Sequence, residues 1–260
     1  MSARSAGVRW SGVFLVVALL GLWEGASRAG WVYSVYMPPI TRIAAAWTEL
    51  IASGELLRAL GSSVYRAALG YAAALALAVP LGVLIGFYRA AFDLFEPLTE
   101  LLRPLPPPAL IPLAILFLGI GDAMKVFMIA FACFFPILVS STHAVYNVEA
   151  RLVDAARALG FGDAAILRHV VVPLAVPPIA AGMKISLAIA LILTIIAEMV
   201  AGNNGLGFMI LDAERSFRVP EMYASIFTLA LFGYALNFLF ARLESRFLVW
   251  HPGWQGIEES

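Results

Sequence analysis

Few side chains in this sequence are of a type that does chemistry, and their spacing excludes most kinds. His143, His169 and His251 lie far apart with no cysteine cluster beside them, so no metal-ligand pattern exists. The single Cys133 lies inside an apolar run and has no disulfide partner, which makes it core filler. No Gly-x-Ser-x-Gly elbow or carboxylate pair marks a hydrolase. The two lysines, Lys125 and Lys184, follow Met124 and Met183, so there is no Gly-Lys-Ser/Thr phosphate loop. The chain is therefore expected to bind no metal or cofactor and not to be an enzyme.

What remains is a polar interval, Val153-Asp154-Ala155-Ala156-Arg157-Ala158-Leu159-Gly160, which runs on through Arg168-His169 to Val170-Val171-Val172-Pro173. Its pattern predicts two short helices. Leu152, Ala155, Ala156 and Leu159 form a small apolar stripe at helical spacing, and Gly160 supplies the permissive backbone that ends a helix. Asp163 is placed to cap the second helix, Arg168 and His169 to sit at its C-terminal end, and Pro173 to stop it. Two readings of the first helix stand side by side. Small Ala155 and Ala156 would admit the backbone of another protein, with Asp154 and Arg157 as polar anchors; or the segment packs on its own bundle.

The elements that position this interval follow from composition. With 62% hydrophobic and 13% charged residues and a mean hydropathy of +0.90, the chain reads as a polytopic membrane protein in the lipid bilayer. A net charge of zero leaves no basic surface for nucleic acid. A span needs roughly 20 apolar residues, and the apolar runs Val13–Ala29, Ser62–Phe87, Leu98–Leu118, Ala123–His143, Pro178–Val200 and Met222–Phe240 predict about six transmembrane helices. Arg4 and Arg9 precede the first run as in a secretory signal, but Trp23-Glu24 spoils a small-residue cleavage site, so it reads as a retained span. The fold class expected is all-α, one integral helix bundle over residues 1–260.

Basic residues flanking the runs set the orientation. With both termini cytoplasmic, Arg89, Arg103, Arg151, Arg157, Arg168, Arg242 and Arg246 fall inside, while Arg28, Arg42, Arg58, Arg66, Lys125, Arg215 and Arg218 fall outside. The polar interval is then cytoplasmic, and Arg42 to Leu60 becomes an outer segment along the interface.

Inside the apolar runs, ionisable groups are costly and mark function or a buried partner. Glu198, near the outer end of the fifth run, either braces a neighbouring helix or contacts substrate. Asn203 and Asn204 after it form a gate or a simple turn before Gly205, and Lys184 snorkels to the cytoplasmic face or meets an anion. The prolines from Pro104 to Pro112, with Pro106 and Pro107 at their centre, must bend or interrupt the third span; irregular backbone at that depth lines a cavity or is buried as a kink. Gly82 and Gly86 form a small-xxx-small pair for close helix packing.

The register Asp154-Ala155-Ala156, three residues, Gly160, nine residues, Val170-x-Val172-Pro173 resembles the EAA motif of ATP-binding-cassette (ABC) importer permeases, with Asp for Glu and Val for Ile and Leu. Arg103-Pro104-Leu105-Pro106-Pro107-Pro108, Ile111-Pro112-Leu113-Ala114, Phe134-Phe135-Pro136-Ile137, Ala197-Glu198-Met199 with Gly205-Leu206-Gly207, and Trp250-His251-Pro252 are similar to the nitrate, sulfonate, taurine and bicarbonate importer permeases. The resemblance implies the type I importer permease fold (MetI-like) in the inner membrane, working as a homodimer with two cytoplasmic ABC ATPase subunits and a periplasmic solute-binding protein. It implies that ATP and Mg are bound by the ATPase partner, and that a coupling segment at 145–175 transmits its closure through Asp154, Ala155, Ala156, Arg157, Gly160 and Pro173. Glu198, Asn203, Asn204, Pro106 and Pro107 would belong to the pathway or gate, and the cargo would be a small anion. The competing class is a stand-alone, ion-gradient-driven secondary transporter or channel, which would call for inverted repeats and several mid-membrane charges; no such repeat is visible.

Overall fold

Along the second apolar run, small residues recur every fourth position: Gly70, Ala74, Ala78, Gly82 and Gly86. On a helix that spacing makes one continuous narrow ridge, and a ridge without side chains lets another helix come to backbone contact. The computed structural model, which describes residues 2–102 and 104–247, is organised on that contact. Helix α3 (Glu55–Phe87) lies beside and parallel to α6 (Asp122–Tyr146), and the two are joined through α4 (Arg89–Leu102), a 3-10 turn at Pro107–Leu110 and α5 (Ile111–Leu118). A Cβ on Gly82 would lie 2.6 Å from the Ser141 Cβ and 2.8 Å from the Leu138 carbonyl, and one on Gly86 2.4 Å from the Thr142 carbonyl.

Around this pair α9 (Val172–Ala201) returns antiparallel, and Ala190 and Leu193 close a core with Ala74, Ala78, Ile129, Ala132, Cys133 and Ile137. Helix α1 (Ser2–Arg28) carries the first apolar run, and α2 (Ile40–Ala52) turns Ile43, Ala46 and Leu50 inward against α3 and α11 (Val219–Phe247). Pro39 gives α2 no side-chain cap; the Glu24 carboxylate accepts the Thr41 N–H instead, which ties α1 to the start of α2. Trp47 Nε1 donates to the Thr228 hydroxyl of α11 at 2.9 Å.

Among the described residues four helices are long and apolar enough to cross a membrane, or five if the bent pair is counted as one span. Several boundaries differ from the sequence reading. The third run is two helices whose axes turn by 81° across the proline segment, because consecutive prolines remove donors and clash with preceding carbonyls. The outer segment Arg42–Leu60 divides at Ser53-Gly54, and α3 begins at Glu55, seven residues before the apolar run does. A further helix, α10 (Leu206–Arg215), follows the Asn203-Asn204-Gly205 turn where the sequence suggested only a break. Arg103 and Trp250-His251-Pro252 lie outside the described residues.

Pro173 does not stop a helix. The short α8 (Asp163–Ile166) continues through a π-helical turn, Leu167–Val171, directly into α9. The Val172 N–H reaches back to the Leu167 carbonyl, one residue further than an α-helical bond. Shifting the ladder by one residue is how a helix absorbs a proline ring without ending. Arg168 and His169 therefore lie inside a continuing helix rather than at a C-terminus, and Asp163 is the first helical residue while Gly162 holds the cap position.

The α3–α6 contact sets up a contrast on one helix. Gly86→Ala should destabilise the chain by about 1–3 kcal/mol, since the new methyl meets backbone. Gly61→Ala, whose Cβ would meet nothing within 4 Å, should be neutral or stabilising by up to about 1 kcal/mol. Thermal unfolding of both variants in detergent checks this; equal midpoints would show that the ridge does not set the packing.

Candidate functional site

Two sites lie at opposite ends of the bundle. The first is the polar interval. Helix α7 (Ala150–Ala158) ends because Gly160 adopts a φ of +84°, which a side-chain-bearing residue rarely takes. The Gly160 N–H donates to the Arg157 carbonyl at 2.9 Å and the Phe161 N–H to the Ala156 carbonyl at 3.1 Å, the two bonds of a Schellman motif. Arg157 lies 3.5 Å from Asp163 and 3.9 Å from Asp154, so one guanidinium links the end of α7 to the start of α8. Those pairs are surface-exposed and contribute little stability; they hold an angle.

The stripe read from the sequence divides in two. Ala156 is 7% exposed and packs with Val145, Ile166, Val171, Ala175 and Ile179. Leu152, Ala155 and Leu159 point outward, Leu159 at 78% exposure, with Phe161 beside them. Ala156 seats α7 on its own bundle, as the self-packing reading expects, while Ala155 belongs to an outward apolar face. Pro173 is half-buried in the first turn of α9, away from that face.

The second site surrounds Glu198. This carboxylate has no exposed surface. It accepts hydrogen bonds from Ser63 Oγ at 2.8 Å, Arg66 Nη1 at 2.6 Å and the Gly207 N–H at 2.9 Å. Ser63 in turn accepts the Leu206 N–H at 2.9 Å. The glycines of Gly205-Leu206-Gly207 are explained by this wrapping: Gly205 has a φ of +104°, and a Cβ there would lie 2.3 Å from the Glu198 carboxyl carbon, while one on Gly207 would lie 2.4 Å from the Ile195 carbonyl. In this structure Glu198 is a brace, and the chain leaves it no open face.

Arg66 extends the brace. It is 1% exposed; beyond Glu198 it donates from Nε to Asp122 Oδ1 at 2.7 Å, from Nη1 to the Asn204 carbonyl at 3.1 Å and from Nη2 to the Asn204 side chain. One side chain of α3 thereby fixes α6, α9 and the turn before α10. The sequence reading counted Arg66 only as a flanking charge. The available signal was a guanidinium and a carboxylate, Arg66 and Glu198, each inside an apolar run where neither is tolerable alone.

A cavity of about 750 Å³ opens above this floor, lined in part by Arg58, Arg66, Asp122, Asn203, Asn204 and Arg218. Asn203 and Asn204 therefore do border open space. Pro107 instead lines a separate cavity of about 610 Å³ whose walls include Phe131, Phe135 and Ile192, and Pro106 is exposed at the start of the 3-10 turn. The structure does not bring the prolines and the asparagines together. Lys184 reaches toward Glu244 of α11 at 3.9 Å rather than either cavity. Arg58, Arg66, Lys125 and Arg218, which the flanking-charge reading put on one side, cluster at the Glu198 end, and the α7 segment lies at the other.

The geometry has counterparts. A chain from inward-facing structures of the MetNI methionine ABC transporter superposes with a TM-score of 0.67 at 18% identity, covering 75% of this chain and 97% of that one. The putative aliphatic sulfonates transport permease protein SsuC of Bacillus subtilis (strain 168) is 31% identical over 94% of this chain and 89% of its own length. The taurine transport system permease protein TauC of Escherichia coli (strain K12) is 28% identical over 91% of this chain and 88% of its own. Residues 78–248 match the family described as binding-protein-dependent transport system inner membrane component. The chain belongs to that family: it is a transmembrane permease subunit of an ABC importer, with ATP hydrolysis assigned to a separate subunit.

Proposed function

We propose that this chain, paired with a second copy of itself in the inner membrane, carries a small anion inward, and that α7 is where a cytoplasmic ABC ATPase dimer drives it. The observation that carries the reading is the division of α7, with Ala156 sunk in the permease and Leu152, Ala155 and Leu159 displayed beside Asp154 and Arg157. An apolar face with charges at its rim suits a protein cleft. ATP and Mg would be held by the ATPase. The charged cavity end would then be periplasmic, facing a solute-binding protein, with both termini in the cytoplasm. Aliphatic sulfonates are named for SsuC and taurine for TauC, and a sulfonate, nitrate or bicarbonate is the class expected here.

In this reading Asp154, Ala155, Arg157 and Gly160 form the coupling contact, while Ala156 and Pro173 seat it. Asn203 and Asn204 line the outer vestibule and Glu198 holds its floor. Pro106 and Pro107 stand by the second, apolar cavity, along the path between the two copies. Coupling segment and pathway together make one functional domain over the chain.

Two measurements test this. Gly160→Val forces a β-branched side chain into the left-handed region at a cost of ~1–2 kcal/mol, which opens the Schellman turn. Membrane insertion should persist while ATP-driven uptake falls severalfold, and Gly160→Asn, which tolerates that backbone, should keep most of it; unchanged uptake in the valine variant would count against coupling through this turn. Second, a cysteine at Ala155 in a Cys133→Ser background should crosslink in native membranes to a phosphate-loop ATPase, identified by mass spectrometry, while a buried cysteine at Ala156 should not. An accessible Ala155→Cys that captures no ATPase would overturn the docking assignment.

A further inference from the structure

Two buried cations, Arg66 and Lys125, meet at the Asp122 carboxylate that lines the outer cavity. Arg66 is fully engaged through Glu198, Asn204 and Asp122. Lys125, on α6, is not. Its side chain is 2% exposed, and among the described residues its Nζ has one ionic neighbour, Asp122 at 3.8 Å, which is beyond hydrogen-bond reach. Lys125 does not itself line the cavity. Here it is aimed at a carboxylate that is itself 55% exposed and lines the cavity.

We propose that Arg66 Nε and Lys125 Nζ form a binding site for the head of a small oxyanion, which the Asp122 carboxylate fills as a tethered stand-in. The proposal rests on the import reading for which anion arrives; the site itself is a property of this chain. Three observations carry it. Two cations, each almost wholly buried, converge on one exposed carboxylate, so the fixed partners are the cations and the movable one is the acid. Asp122 is already largely hydrated, so turning it outward exposes little that is not exposed now and breaks one good hydrogen bond, which an incoming sulfonate, nitrate or carboxylate oxygen replaces. The same oxygen, free of the α6 backbone, can close the gap to Lys125 that Asp122 leaves. Asp122 also stands in the first turn of α6, where backbone N–H groups favour negative charge.

The rest of the lining limits the ligand's charge. Arg58 and Arg218 are offset by Glu55, Asp212 and Glu221, and Arg218 is already paired with Asp212. Away from the floor the cavity does not add positive potential, so a monoanion fits and a dianion meets uncompensated acids. The site thus favours an alkylsulfonate or nitrate over sulfate.

Asp122→Asn carries the test, because its side chain is exposed enough for the variant to fold and the substitution removes the competing charge without removing either cation. Binding of methanesulfonate to the full-length detergent-purified chain is measured by calorimetry at constant ionic strength in gluconate. Asp122→Asn should tighten binding roughly tenfold or more, and Lys125→Met in that background should abolish the gain. Sulfate should compete poorly. If Asp122→Asn binds no more tightly than the native chain, or if the gain survives Lys125→Met, the site is wrong. ATP-driven uptake of methanesulfonate by the native chain co-reconstituted with its captured ATPase is scored separately. Uptake with no binding gain rejects this site and leaves the import reading standing, whereas absence of any ATPase partner rejects the import reading without touching the calorimetric result.

Discussion

A carboxylate with no exposed surface, inside a bundle that lies in lipid, is the constraint from which the rest of this structure follows. A Glu198 side chain buried there is tolerable only where its lost hydration is replaced. Ser63, Arg66 and the Gly207 N–H do that replacing, and they come from α3 and from the start of α10. For Gly207 to reach the carboxylate, the chain after α9 must fold back across its own last turn, which only glycine at 205 and 207 permits. Removing one partner of such a group costs far more than the pair contributes against an apolar substitute. The pair is therefore better understood as fixing a register than as a source of net stability.

That register propagates. Ser63 and Arg66 stand on the same face of α3 as Gly70, Ala74, Ala78, Gly82 and Gly86, so the ion pair at one end and the glycine contacts at the other are two ends of a single buried ridge. With Arg66 also bonded to Asp122 at the head of α6, the parallel α3–α6 pair is pinned at its start by charge and along its length by backbone contact. Sliding α6 by one residue would break the first and drive Cβ atoms into carbonyls at the second. Interiors packed this way resist continuous deformation, so the α3–α6 pair holds a single register.

The sequence exposed some of this well and some not at all, for reasons that can be located. Apolar runs and breaks gave the all-helical membrane class, and the Gly160 turn was readable because a helix end leaves a local chemical mark in the chain. The fate of Pro173 was not readable: a proline's local effect is to interrupt a ladder, and whether the helix ends or absorbs the fault through a π turn depends on what packs around it. The partition of Ala155 from Ala156 was missed for a related reason. Two adjacent alanines have identical propensity, and only the bundle against which α7 lies tells one face from the other. The Glu198 network needed a pairing across 132 residues of sequence between Arg66 and Glu198, a separation over which periodicity carries no information. Helix α10 was hidden because its apolar residues pack on a site that the sequence had not yet assembled.

The continuity of the helix through Pro173 changes what the two sites can mean to one another. Asp163 to Ala201 is one helical rod of 39 residues, ~58 Å at 1.5 Å per residue. Its first turn is tied to α7 through Arg157 and Asp163, and its last turn holds Glu198. Had Pro173 ended a helix, a loop would separate the α7 segment from the floor of the charged cavity, and displacement at one would dissipate before reaching the other. A helix transmits axial displacement and rotation, and the places where this one can flex are marked: the π turn at Leu167–Val171 and the Pro177-Pro178 pair just beyond it. Both lie at the α7 end. Beyond them the rod runs unbroken by proline to Glu198, so the stretch from Ile179 to Ala201 and the carboxylate on which the Arg66–Asp122–Asn204 floor is built form one rigid piece.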